Sequence, residues 1–575
     1  MVRCLRLVPS SRNGRCPLLF VLCLAGLTAP ALVVLGATPD AAQGRAEVVI
    51  EEEDAEKADS KQPAPALKGV IFVTLSDSVS GNLESAEGVR TAKVPALDTA
   101  EFRRTMAEYL GKPVTAGLTR QMARAAAAYY RRQTGRDVEV VAAGQDSASG
   151  AVQLVVVERK VGQVSVEGNR WFGESVMRGV IATAPGDTLA VSALQQELRR
   201  LNKNQFRSVK ALLKPGARAE ETDVVFKTED RFPVRFSIGY EDTGNEGSGY
   251  SRIVEGFQWG NAFMQGHELS YQHTSGLDYE QYAGHSLTYR VPLPLTGHDL
   301  TANGSYSSER WPLNPGRDLD IWWQYGLRYG VELPQRGGYT QRLEGGFDHK
   351  RRDYDPDGDS KFVTDLVQFQ VQYDGALKDR WGGTTFSVIG VASPGSLTDR
   401  NTARNLGRER TGVRPRYADV YVSLERIWSL AAGVTLQNRI IGQVTSARLP
   451  YAEQLGFGGF ETVRGYDESK IGADQGLLVS AELRSPAFLL GRFGEGEELA
   501  HRLQALAFFD AGFGDTKCRK QDEEDSEKLE SAGVGVRYSM GKHVTLRLDY
   551  AWRLKETEDG DGRTGRVHMG VTVSY

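Results

Sequence analysis

At 575 residues the chain is too long for one ordinary domain, and 70 Lys+Arg against 74 Asp+Glu leave no basic surplus for nucleic acid. A mean hydropathy of −0.39 excludes a bundle of membrane helices. It does not exclude a β-barrel, whose polar lumen face and loops dilute the apolar strands.

In chain order, Arg3, Arg6, Arg12 and Arg15 precede an apolar run from Pro17 to Ala37. This reads as a secretory signal over residues 1–37, with Ala29/Ala31 or Val34/Gly36 as cleavage sites. The competing reading, an uncleaved membrane anchor, is opposed by Pro30 and by the soluble segment that follows. Three of the four cysteines (Cys4, Cys16, Cys23) lie in this leader, so Cys518 stands alone and neither a disulfide nor a cysteine metal site is expected. Residues 38–69 are acidic and Pro/Ala-rich, including Glu51-Glu52-Glu53-Asp54, and read as a solvated tether, with a pore-plugging helix as the alternative.

Residues 70–160 then run strand, helix, helix, strand, strand. Val70 to Leu75 is apolar; Thr99 to Leu110 and Gly117 to Thr134 carry helical spacing; Val138 to Ala142 and Ala151 to Glu158 flank a Gly/Ser/Asp turn. Residues 161–231 repeat the order, with strands at Gly162–Glu167, Val209–Leu213 and Asp223–Thr228 and helices at Glu174–Thr183 and Ser192–Leu201. A tandem βααββ unit ahead of a barrel is the layout of POTRA domains, so two are expected.

From Phe232 to Tyr575 no helical pattern appears, and about sixteen segments alternate with period two. Ile321, Trp323, Tyr325, Leu327 and Tyr329 oppose Gln324 and Arg328; Val367, Phe369, Val371 and Tyr373 oppose Gln368, Gln370 and Gln372; Val567 to Tyr575 alternates without a fault. A charge facing lipid at mid-membrane costs about 2–4 kcal/mol, so the charged rows must point into a polar lumen. The expected fold is a transmembrane β-barrel over 232–575. Connector lengths agree: 308–319, 351–360, 394–414, 447–475, 515–529 and 555–564 are long, whereas 334–337, 375–379, 429–433 and 541–542 are short. Long outer and short periplasmic links are the bacterial asymmetry; only 485–500 breaks the parity.

The longest outer connection contains Gly456-Phe457-Gly458-Gly459-Phe460-Glu461-Thr462-Val463-Arg464-Gly465-Tyr466, and two strands later comes Phe508-Phe509-Asp510-Ala511-Gly512. If 447–475 folds into the barrel, Arg464 pairs with Asp510 on the wall, and a bidentate Arg–carboxylate contact fixes direction as well as attraction. A loop Val-Arg-Gly-Tyr, a wall F-x-D-x-G and the tandem units together resemble the TpsB transporters of two-partner secretion, the haemolysin activators and filamentous-haemagglutinin transporter, a branch of the BamA superfamily. The phrase Leu201-Asn202 … Arg207-Ser208-Val209-Lys210-Ala211-Leu212-Leu213 … Thr222-Asp223 also resembles the second POTRA unit of that branch. The resemblance spans about Val70 to Tyr575. It implies an outer-membrane pore of sixteen strands, in a diderm bacterium, that exports a large β-helical partner protein without ATP. By the family pattern Arg464 and Asp510 carry the loop-to-wall contact, supported by Val463, Gly465, Tyr466, Phe508 and Gly512. The partner would dock on the POTRA sheet edges by strand addition. No clear plug helix is visible, a departure that leaves gating open.

Other motifs read plainly. Trp322-Trp323 is an interfacial belt. Asp353-Tyr354-Asp355-Pro356-Asp357-Gly358-Asp359 imitates a calcium loop, but Thr364 stands where Glu is needed, so a polar hairpin tip is expected. Arg400, Arg404, Arg408 and Arg410 crowd one outer loop, read as solvated, with lipopolysaccharide phosphates as the candidate ligand. No metal spacing, catalytic cluster or phosphate loop stands out, so no cofactor, no metal and no enzymatic activity are expected, and the barrel is expected to be monomeric. The competing functions are a BamA- or TamA-like insertase, favoured less because those relatives usually carry more POTRA units, and a passive porin, in which the tandem units have no role.

Overall fold

The computed structural model describes residues 48–50, 65–74, 87–91, 93–136, 138–142, 150–218, 220–294, 297–310, 319–355, 361–492, 500–517, 526–556 and 564–575. The signal, residues 38–47 and 51–64 of the tether and candidate plug, the centre of the calcium-like tip and Cys518 lie outside the described residues.

The first α+β unit forms because two helices each bury one apolar stripe on a four-stranded sheet. Ala100–Ala107 and Ala116–Thr134 are capped by Thr99 and Thr115, whose side chains accept from Phe102 N and Leu118 N at 3.1 Å. The longer helix stops at Gly135, at φ +71°. Strand order is Gly88–Arg90, Gly69–Thr74, Ala151–Glu158, Val138–Ala142. Phe72, Phe102, Met106, Met122 and Leu154 are fully buried between the layers.

The second unit repeats this with Lys160–Glu167, Glu174–Arg178, Val191–Leu201, Arg207–Pro215 and Glu221–Asp230. Its first helix is shorter than the expected 174–183. It ends at Gly179, and the amides of Ala182 and Thr183 are taken instead by the buried Glu197 carboxylate, at 3.1 and 2.9 Å. The tether contributes a strand of its own: Val48–Ile50 adds parallel to Ala211–Leu213 at the sheet edge. Asn204 Nδ2 donates to Gly260 O at 2.5 Å and Asn261 Nδ2 to Trp171 O at 2.8 Å, which fastens this unit beneath the barrel. Gly260 permits the approach, since a Cβ there would lie 2.1 Å from the Phe206 ring.

The barrel is closed and antiparallel, with sixteen strand positions. In order these are Val234–Glu241, Arg252–Ala262, His267–Ser275, Tyr282–Pro292, His298–Arg310, Leu319–Arg336, Tyr339–Asp355 and Phe362–Asp379. Gly382–Ser393, Tyr417–Ser429, Thr435–Thr445, Gln475–Arg484, Ala500–Asp515, Ser526–Met540, Val544–Arg553 and Gly565–Ser574 follow. The ring closes by pairing Gly570 with Glu241 through Ser574 with Ser237. Position twelve explains the long periplasmic link: Phe488–Arg492 continues the pairing with Ala500–Leu503 that Gln475–Arg484 begins higher up. Residues 488–492 of the link therefore extend the wall.

The two faces separate as the alternation requires. Val371 is 59% exposed toward lipid while its neighbour Gln370, on the lumen side, is 3% exposed. Two expectations need correction. A helix, Ala403–Glu409, does occur after Phe232; with Leu406 its single buried residue, two turns are too short to show an apolar period. The Trp322-Trp323 pair also divides. Trp323 faces lipid and packs tilted against Tyr306 with ring centroids 4.5 Å apart, whereas Trp322 packs against the Leu406 cluster inside the mouth, under the Arg352 guanidinium. Period two cannot place consecutive residues on one belt.

Candidate functional site: a hairpin held by the barrel wall

The connection 447–475 enters the barrel as a small hairpin, Leu455–Phe457 pairing with Ile471–Ala473. Apolar packing seats it first. Phe457, Val463 and Tyr466 are fully buried in a cluster with Ile441, Leu478 and Leu529. The wall makes room by omitting side chains. A Cβ on Gly476, Gly512 or Gly514 would lie 2.5, 2.8 or 3.1 Å from the Phe457 ring. The Gly of F-x-D-x-G is thus part of a floor for an aromatic side chain.

Arg464 on the hairpin lies against Asp510 on the wall. Nε donates to Asp510 Oδ2 at 2.7 Å and Nη2 to Oδ1 at 3.0 Å, a bidentate pair. The Arg464 backbone N–H reaches the same carboxylate at 3.3 Å, and Ser480 Oγ donates to it at 2.6 Å. Phe508 lies beneath the guanidinium, 3.3 Å from Cζ to the ring centroid. Phe508 and Asp510 face the lumen, whereas Phe509, between them, is exposed toward lipid. Gly465 sits at φ +96° and donates its N–H to His568 Nε2 at 2.8 Å, and a Cβ there would lie 3.2 Å from Ala551 Cβ, a conformation and a gap that suit glycine. The Tyr466 hydroxyl lies 2.9 and 2.8 Å from the carbonyl oxygens of Glu530 and Lys555. The seven residues singled out in the sequence lie on this hairpin or on the wall that seats it.

Sequence reasoning missed the rest of the charge set. Arg464 Nη1 also donates to Glu482 at 2.9 Å and lies 3.5 Å from Asp549. Asp549 is held in turn by Arg537 at 2.6 Å and Arg547 at 2.8 Å, and Arg547 reaches back to Glu461 and the Phe460 carbonyl on the hairpin, both at 2.5 Å. Alternating cations and anions leave little uncompensated charge. Removing one member of such a buried set costs about 3–5 kcal/mol, because its partner is stranded. The available signal was the inward row of each strand; Asp549 and His568 both lie on such rows, on the last two strands. Among the described residues no group of three or more His, Cys, Asp or Glu is arranged to hold a metal.

Of the basic outer loop, Arg400, Arg404 and Arg408 are exposed, but Arg410 is buried and pairs with Asp474. The expectation of four solvated arginines is corrected to three. Arg410 is drawn inward by the packing of Leu406 and Val413 on either side of it.

Comparisons agree with this architecture. The family model for the haemolysin secretion/activation protein ShlB/FhaC/HecB matches residues 369–538. The outer membrane transporter CdiB of Escherichia coli is 23% identical over 92% of this chain and 88% of its own length. The heme/hemopexin transporter protein HuxB of Haemophilus influenzae is 20% identical over 80% and 82%. The solved structure of CdiB from Escherichia coli superposes with a TM-score of 0.70 at 18% identity, covering 91% of this chain and 93% of that one.

Proposed function

We propose, from the premise that this chain belongs to the ShlB/FhaC/HecB family of outer-membrane transporters, that it exports one large secreted partner protein from periplasm to cell surface. The observation that carries the reading is the buried Arg464–Asp510 contact: a passive pore has no use for a hairpin tied to its own wall by so many charges. The conduit works as a single barrel and not as an enzyme. The partner, a β-helical protein, enters unfolded, and its folding outside draws the chain forward.

Docking falls to the two α+β units, which act as POTRA domains. Supporting this, the edge strand Arg207–Pro215 already accepts an added parallel strand from the tether. Arg400, Arg404 and Arg408 lie exposed on an outer loop, where lipopolysaccharide phosphates are within their chemistry.

Arg464→Ala and Asp510→Ala will each lower secretion at least tenfold, given about 3–5 kcal/mol lost at the contact, while the barrel still reaches the outer membrane. Secretion is read by immunoblot of the medium, and barrel assembly by heat-modifiable migration. Wild-type secretion from both variants defeats the reading.

A further inference from the structure

Asp474, at the root of the inward hairpin, is fully buried. Its carboxylate accepts from both Arg410 Nη1 and Nη2, the second at 3.2 Å. It also accepts the backbone N–H of Leu449 at 3.1 Å and that of Lys517 at 2.9 Å. Arg410 Nη1 donates onward to the Leu449 carbonyl at 2.7 Å. Arg410 belongs to the connection after Gly382–Ser393, Leu449 and Asp474 to the two ends of the inward hairpin, and Lys517 to the connection after Ala500–Asp515. Three separate outer connections therefore meet on one carboxylate.

The first of them is folded inward. Leu406, Val413, Leu449 and Ala452 pack with Leu366, Ile389 and Val391, side chains that share the lumen face with Lys350, Gln370 and Gln372 in the strand register. Glu409 beside Leu406 lies 3.8 Å from Arg352, which is itself bidentate to Asp320 at 2.9 and 2.8 Å. This connection thus covers the outer end of the lumen through an apolar contact ringed by buried charges.

We propose that Asp474 is the fastening point of an outer closure, and that parting Arg410 from it is the step that widens the exit for a polypeptide. The purpose of the step rests on the export reading; the closure itself does not. The first connection and the hairpin root cannot move apart without leaving Arg410 or Asp474 uncompensated, so these two are held together or released together, and the third joins them through the Lys517 N–H. Arg464 secures the hairpin tip on the wall of strands twelve, thirteen and fifteen, whereas Asp474 secures its root to neighbouring loops. Tip and root can therefore be released separately. Asp474 and Arg410 are positioning residues, acting through the loops they hold.

The test uses the full-length protein in planar bilayers, comparing wild type with Asp474→Asn and Arg410→Gln, with vancomycin sensitivity of expressing cells as the second readout. The expected result is about a tenfold rise in open-state conductance events for Asp474→Asn, the effect of losing one charge-assisted contact, and a smaller rise for Arg410→Gln. Wild-type leak in both assembled variants overturns the proposal. If Asp474→Asn fails to assemble, Arg410→Gln, in a loop outside the strands, decides alone. Secretion measured in parallel separates the two readings. Raised leak in a protein whose Arg464→Ala variant secretes normally sinks the export contact and leaves the closure standing; unchanged leak with lost secretion does the reverse.

Discussion

The periplasmic units and the barrel are built inside-out relative to each other. In the first unit Phe72, Phe102 and Leu154 are hidden and charges face water. In the barrel Trp323, Val371 and Leu548 face outward, while Arg328, Asp348, Asp510 and Asp549 are hidden. The dry core is held by area removed from water, which tolerates imprecise geometry at modest cost. The barrel interior is held by paired charges, which give direction but become a liability when one partner leaves. A transporter can use that difference: a charged junction can be exchanged stepwise for contacts with a passing chain, whereas an apolar core cannot.

The contrast makes unequal predictions. Phe102→Ala, which removes a ring seated 5.1 Å from Phe72 and 5.0 Å from Tyr129, will cost the first unit about 3–5 kcal/mol. Proteolysis within residues 65–158 of the full chain will rise while heat-modifiable migration stays normal; if the barrel fails as well, the regions are not independent. Val371→Arg on the lipid face will destabilise the barrel by about 2–4 kcal/mol, whereas Gln370→Asn, a neutral polar change one residue away on the lumen face, will stay close to wild type. Urea unfolding in lipid vesicles measures both, and equal losses would contradict the assigned faces.

Gly512→Ala places a methyl 2.8 Å from Phe457 Cδ1 and 3.1 Å from Val463 Cγ2, an overpacking cost of about 1–3 kcal/mol. A spin label at position 461 will then gain mobility, while Gly491→Ala, with nothing within 4 Å, serves as the silent control. The smallest effect sits in the second unit. Burial raises the Glu197 pKa above its ordinary 4.5, against hydrogen bonds from Thr183 and Ala182 that pull it down. A carboxyl whose folded pKa is raised gives its full stabilisation below the unfolded value and loses it as pH climbs through the folded one. Hydrogen exchange across residues 160–218 will therefore slow, after correction for the intrinsic rate, as pH falls from 7 toward 4.5, and Glu197→Gln will flatten that dependence.

Period two exposed nearly the whole barrel wall before any coordinates, because lipid and water impose opposite demands on adjacent residues. The pairing of Arg464 with Asp510 was legible for a different reason: two short motifs carried opposite charge in a place where neither could stand alone. Glu482 and His568 were harder to assign, since their approach to the hairpin comes from ring closure, which places strands twelve and sixteen around one tip. Asp474 and Arg410 were the least visible. Their meeting depends on two loops folding inward together, and the only local sign was Leu406 stranded among arginines.

One more consequence comes from the closing seam. The first barrel strand ends at Glu241 and its partner is Gly570, so the ring cannot shut until segments more than three hundred residues apart find each other. Contacts of that separation are entropically late and slow to form. The strands between them pair with their sequence neighbours, so the two edges left waiting are those of Val234–Glu241 and Gly565–Ser574, and shielding those two edges until they meet is the task left to holding factors in the periplasm.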